Sequence, residues 1–99
     1  MAVWEVARIT VAEATEDEFE SIVRSHIPLL RATDGCLDVK LLRAVDAERT
    51  FVLLLQWESV DHHLEFTKTE EFAGFVGALG PLFTGTPDTF HAATVIEGF

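Results

Sequence analysis

The chain has a single cysteine, Cys36, which excludes an intrachain disulfide and leaves no cysteine-built zinc site. It has no tyrosine and no asparagine. Basic residues are scarce: 7 Lys and Arg stand against 17 Asp and Glu, a formal net charge of −10. A surface this acidic repels phosphate backbones and anionic lipid headgroups, so neither nucleic acid nor a membrane is an expected partner. A neutral ligand in a pocket is unaffected. No stretch approaches the roughly 20 apolar residues of a membrane span. The opening residues, MAVWEVARITV, carry Glu5 and Arg8 within their apolar pattern, unlike a secretory signal. A cytoplasmic protein is expected.

What is present is a globular composition, 48% hydrophobic and 24% charged over 99 residues. One domain, residues 1–99, is expected, without repeats, linkers or low-complexity tracts. A domain of this size buries roughly 60–70% of the surface its unfolded chain exposes, so a second copy would supplement a modest core.

Val3–Val11 is rich in β-branched residues and reads as a strand. Thr15 and Glu18 have the spacing of a capping box. Phe19, Ile22, Val23, His26, Ile27 and Leu30 then recur at helical spacing. Pro28 should loosen the last turn of that helix, and Asp34-Gly35 should end it. Cys36–Val45 and Thr50–Trp57 read as a hairpin around a polar turn. Ser59 and Thr69 are caps for two further helices, the second with Phe72, Phe75, Val76 and Leu79 on one stripe. Gly80-Pro81 stops it, and Thr89–Ile96 reads as a last strand.

The order strand, helix, strand, strand, helix, strand predicts an α+β, ferredoxin-like βαββαβ sandwich with a four-stranded antiparallel sheet. The run Phe51–Leu55 is apolar on both faces, whereas a strand with one solvated face should alternate. Helices cover one face, and a second subunit is the economical cover for the other. Two sheets packed face to face would make a dimeric α/β barrel.

The densest chemistry lies in Phe51–Phe66, FVLLLQWESVDHHLEF, where a strand ending in Trp57 hands over to a helix start with His62 and His63. With Asp34-Gly-Cys36, the Trp57-Glu-Ser59 step, His63 and Glu71-Phe72, the chain resembles the antibiotic biosynthesis monooxygenase family of dimeric α/β-barrel proteins. The resemblance runs through nearly the whole chain. It implies the fold more narrowly than the reaction, because the family includes cofactor-independent oxygenases of aromatic polyketides, quinol oxygenases and haem-degrading enzymes. The haem-degrading relatives place an asparagine on the first strand, and the polyketide oxygenases often use tyrosine; this chain has neither residue.

Trp57 shares strand parity with Phe51, Leu53 and Leu55. It is either core at a strand end or an indole wall that orients a planar ligand. His62 and His63 diverge by about 100° on a helix, so they cannot both face one pocket squarely. The resemblance favours His63 as the inward one. A neutral imidazole there would serve as general base, with a pKa near neutrality. His26, on the apolar stripe of the first helix, is either a hydrogen-bonded core residue or a pocket residue. His91 alternates with Ala93 and Val95 on the last strand, and the small residues beside it leave room for a ligand or for subunit packing. Phe66, Phe72, Phe75 and Val76 would make the pocket hydrophobic. The four histidines diverge too far for a metal site of three convergent ligands. No motif for flavin, haem or phosphate stands out.

These readings predict a homodimeric, cofactor-independent monooxygenase acting on a planar phenolic or quinol-like molecule. His63 would be the base and Trp57 would hold the ring plane. A non-catalytic module binding a hydrophobic aromatic molecule is the alternative, followed by a haem-binding or haem-degrading protein.

Overall fold

The structure is a computed structural model describing residues 1–99. Its elements run β1 (Val3–Thr10), α1 (Glu16–Arg31), β2 (Cys36–Arg43), β3 (Thr50–Trp57), α2 (Val60–Phe66), α3 (Glu70–Leu79), a 3-10 turn (Gly80–Leu82) and β4 (Asp88–Ala92). The sheet order is β2-β3-β1-β4, with every neighbouring pair antiparallel. This is the expected ferredoxin-like sandwich, with the second helical connection split into α2 and α3.

Strand alternation divides the sheet cleanly. Phe51, Leu53, Leu55 and Trp57 of β3, with Ala7 and Ile9 of β1, are buried on the face that the helices cover. Phe19, Val23 and Leu30 of α1, Phe66 of α2, and Phe75 and Leu79 of α3 close over them. Phe19 meets Phe51 with ring centroids 4.7 Å apart. The opposite face carries Val52, Leu54, Trp4 and Val6, all half-buried, and Leu42 and Phe90, which are exposed. No helix of this chain covers that side, as the two-faced apolar run on β3 anticipates.

Three local expectations are corrected. Thr15 does not form a capping box: its hydroxyl donates to Ala12 O at 2.6 Å, and no side chain caps the start of α1. The last strand is Asp88–Ala92, not Thr89–Ile96. Its partner β1 begins at Val3, and the register sets Ala92 opposite Trp4, so strand pairing runs out; Val95 and Ile96 are exposed. The second strand likewise stops at Arg43, short of Val45. α1 continues through Pro28 to Arg31, and at its end Ala32 N–H is shared between Pro28 O and Leu29 O, both at 3.2 Å. Ser59 and Thr69 cap α2 and α3 as expected, accepting from His62 N and Phe72 N.

Gly35 ties the end of α1 to the start of α2. Its φ is +81°, and a Cβ there would fall 2.3 Å from Cδ2 of His62. Only glycine fits both the left-handed backbone and the close approach of that ring. Gly35 O also accepts from Glu58 N at 2.8 Å, which fixes the β3–α2 junction.

Candidate functional site

At that junction the sheet meets α2, and four side chains converge. Glu5 lies on the helix-facing side of β1, where its register partner on β3 is Leu55 and on β4 is His91. Trp57 ends β3 beside it and is fully buried. The indole Nε1 donates to Glu5 Oε1 at 3.0 Å. His63, one turn into α2, brings Nε2 to the same oxygen at 3.1 Å. Its other ring nitrogen, Nδ1, lies 2.7 Å from Nε2 of His91. The imidazole of His63 stacks on the indole of Trp57 with centroids 5.4 Å apart and planes 24° apart.

Proton positions follow from donor and acceptor rules. An indole N–H only donates, so Glu5 Oε1 accepts. His63 Nε2 lies beside that oxygen without a hydrogen bond to it, and His63 Nδ1 shares a hydrogen bond with His91 Nε2. Burial holds the His63 pKa down, to about 4, and the charge on a protonated His91 adds to this. Burial raises the Glu5 pKa above the usual carboxylate value, against opposing effects from the Trp57 hydrogen bond and from His91. Near neutral pH His63 is therefore a neutral imidazole, and its contact with Glu5 is not an ion pair. The near-neutral pKa expected of His63 is corrected accordingly.

Glu5 and His63 form the polar end of a cavity of about 380 Å³ between the sheet and the helices. This falls within the roughly 300–1,000 Å³ usual for small-molecule sites. Its walls are mostly apolar and include Leu53, Leu55, Phe66, Phe72, Phe75 and Val76, with Thr86 and Pro87 from the loop before β4. Val76 is 39% exposed and marks the mouth.

The expected residues separate as follows. His63, Phe66, Phe72, Phe75 and Val76 line the cavity. His91 touches it only through His63. Trp57 is not a wall; it lies behind His63. His26 does not reach the cavity lining: its Nδ1 is 2.8 Å from Ile22 O and its ring packs on Phe75 at 4.9 Å. Glu5 was not among the expected site residues. Its signal in the sequence was a lone carboxylate at an inward position of an otherwise apolar strand.

A larger concavity of about 840 Å³ is a groove between the ends of α1, α2 and α3, with mostly polar walls that include Asp34, Asp61, His62, Glu65 and Glu71. At its edge, Asp34, Glu58 and His62 offer ligand atoms within 4.8 Å of one another. Both carboxylates are exposed, a frequent arrangement on a surface this acidic.

Fold and site together define a ferredoxin-like α+β protein with an apolar small-molecule cavity, polar at one end. A profile of the antibiotic biosynthesis monooxygenase family matches residues 2–78, and the chain belongs to that family. A Bordetella bronchiseptica protein provisionally assigned to the family superposes with a TM-score of 0.92 at 30% identity, covering 96% of this chain and 98% of that one. SnoaB, a cofactor-independent oxygenase from Streptomyces nogalater, shares the fold with a TM-score of 0.86 at 23% identity over 98% of this chain and 96% of its own. The uncharacterized Bacillus subtilis protein YczJ is 27% identical over 88 residues, covering 88% of this chain and 93% of its own. No helix is long and apolar enough to cross a membrane.

Proposed function

We propose that this protein is a cofactor-independent monooxygenase acting on a planar phenolic or quinol-like small molecule, and that it works as a cytoplasmic homodimer of single-domain chains. The observation that carries the reading is the placement of Glu5 and His63 together at one end of an otherwise apolar cavity. Family membership and the fold shared with a cofactor-independent oxygenase support it.

An apolar ring fills the cavity, and its hydroxyl meets the only carboxylate–imidazole pair there. Loss of the hydroxyl proton leaves an electron-rich anion. That anion gives one electron to dioxygen, and the resulting radical and superoxide combine through a new C–O bond. The peroxide anion so formed takes back the proton removed at the start, and if the carbon attacked began as a CH₂ group, the hydroperoxide then loses water to leave a ketone. The protein binds, deprotonates and excludes water. The uncovered apolar face of the sheet supplies the dimer contact.

Oxygen uptake with a panel of anthrones, naphthols and hydroquinones tests the reading. The wild type should turn over at least one of them, and Glu5→Ala combined with His63→Ala, which removes the polar end of the cavity, should slow it at least tenfold, a lenient threshold beside the roughly 10²–10⁴-fold of positioned proton-transfer groups. Saturable quenching of tryptophan fluorescence without uptake would favour the non-catalytic binding module instead. A haem-binding role is disfavoured because His91 engages His63 Nδ1 and the Glu5 carboxylate lies 3.1 Å from Nε2, where an iron would have to sit.

A further inference from the structure

The geometry points to Glu5, not His63, as the group that takes the proton from the bound molecule, through its oxygen Oε2; Trp57, His63 and His91 are positioning residues that hold the carboxylate. This rests on the reading of the cavity as the site of a hydroxylated aromatic, and it assigns the acid–base role within that site.

His63 has two ring nitrogens. Nδ1 is hydrogen-bonded to His91 Nε2 at 2.7 Å, so it cannot accept a proton from a third molecule without breaking that bond. Nε2 sits 3.1 Å from Glu5 Oε1, so the carboxylate crowds the approach of a third molecule to it. Glu5 has two oxygens. Oε1 accepts from Trp57, and His63 Nε2 lies 3.1 Å from it. Oε2 has no hydrogen-bond partner, yet it is not among the sealed, unpartnered atoms, so it keeps accessible surface. Glu5 lines the cavity with a side chain only 13% exposed. A carboxylate with one oxygen held by the indole and the other open is oriented for a single incoming O–H.

The surroundings also suit a base. The titratable groups near Glu5 are His63 from α2, His91 from β4 and Cys36 from β2. Burial raises the pKa of the carboxyl, which increases its basicity. Because His63 stays neutral near pH 7, it packs against Oε1 without placing a full positive charge beside it. His91 holds the His63 ring in place through the hydrogen bond at Nδ1. The step is a simple proton transfer: the substrate O–H bond breaks, an O–H bond forms at Oε2, and the negative charge moves from the carboxylate to the substrate oxygen.

The test uses the full-length protein and the isosteric variants Glu5→Gln and His63→Gln, each of which keeps a polar group in place. In the first arm, oxygen uptake with a substrate the wild type oxidises should fall at least 100-fold in Glu5→Gln and less than tenfold in His63→Gln. The acid limb of the pH–rate profile should persist in His63→Gln, because the titrating group is still present. A 100-fold loss in His63→Gln with Glu5→Gln little affected would overturn the assignment. The second arm needs no turnover. Binding of a nitrophenol is followed by absorbance across its own pKa. The wild type should prefer the neutral phenol over the phenolate at least tenfold, because a carboxylate accepts from O–H and repels an anion. Glu5→Gln should lose that preference and His63→Gln should keep it. An unchanged preference in Glu5→Gln, or no binding by the wild type, overturns the proposal. Absence of uptake with every substrate would defeat the oxygenase reading alone, while the binding arm still decides Glu5.

Discussion

Trp57 and His63 form a stacked pair, 5.4 Å between ring centroids, and both direct a ring nitrogen at one oxygen of Glu5. The indole is fully buried and the imidazole nearly so. Stacking thus fixes the plane of the histidine, and the hydrogen bond between its Nδ1 and His91 fixes its rotation.

Replacing Trp57 with phenylalanine keeps an aromatic face but removes the N–H. The hydrogen bond from Trp57 lowers the Glu5 pKa, so its loss should raise that value further. The acid limb of any Glu5-dependent activity should move to higher pH in Trp57→Phe, and urea unfolding should show a loss of about 2–4 kcal/mol from the cavity and the unmet acceptor. An acid limb that stays in place would separate Trp57 from Glu5.

Stability should carry the signature of His63. Its pKa falls from 6.5 to about 4 on folding. Between those values the unfolded chain holds a proton that the folded chain does not, so stability should decline as pH drops through that window and be unaffected above it. The contribution is roughly 3 kcal/mol at most. Glu5, raised above 4.5, acts in the opposite sense: its contribution is lost as pH rises through its folded value. Urea unfolding between about pH 4 and 7 should show the acid decline in the wild type, steeper by at least about 1 kcal/mol than in His63→Gln. Parallel curves would contradict it.

Gly35→Ala should destabilise the protein by roughly 1–3 kcal/mol, since it combines a positive φ with a Cβ placed in the His62 ring. Adding His62→Gly should recover only part of the loss, because the backbone strain remains. Thermal melts of both variants check this; full recovery in the double variant would mean that the clash alone mattered.

The uncovered sheet face should mediate self-association. Specific interfaces generally bury more than about 1,000 Å², and the patch around Leu54, Trp4, Val6 and Phe90 is the apolar surface that a second copy would cover. Sedimentation should give a dimer for the wild type and a monomer for Leu54→Lys combined with Phe90→Asp, with the helical circular dichroism retained. A wild-type monomer at micromolar concentration would refute this.

Much of the architecture was legible in the residues. The alternation Phe51, Leu53, Leu55, Trp57 marks one face of β3, and all four are buried. Ser59 and Thr69 announce their helices because an N-cap is a local device, complete within four residues. The errors fall where locality fails. Thr15 had the spacing of a capping box, but its hydroxyl found a closer acceptor in Ala12 O. The apolar pattern through Ile96 suggested strand, but a strand extends only as far as its partner, and β1 begins at Val3.

For the site, residue type pointed to Trp57 and the His62-His63 pair, the family resemblance favoured His63, and hydrophobic patterning gave Phe66, Phe72, Phe75 and Val76 as surroundings. What they do to each other was not readable. Glu5 is 52 positions from Trp57, and His91 is 28 from His63. Only the β2-β3-β1-β4 order brings β1 between β3 and β4, so that a carboxylate, an indole and two imidazoles meet at one end of the sheet. The sequence by itself determined which side chains face inward, because alternation and helical period are properties of neighbouring residues. The tertiary structure decided which nitrogen meets which oxygen, and hence which lone pairs stay free. Hydrogen bonds of about 3 Å depend on the register of strands far apart in the chain, and no local pattern encodes that register.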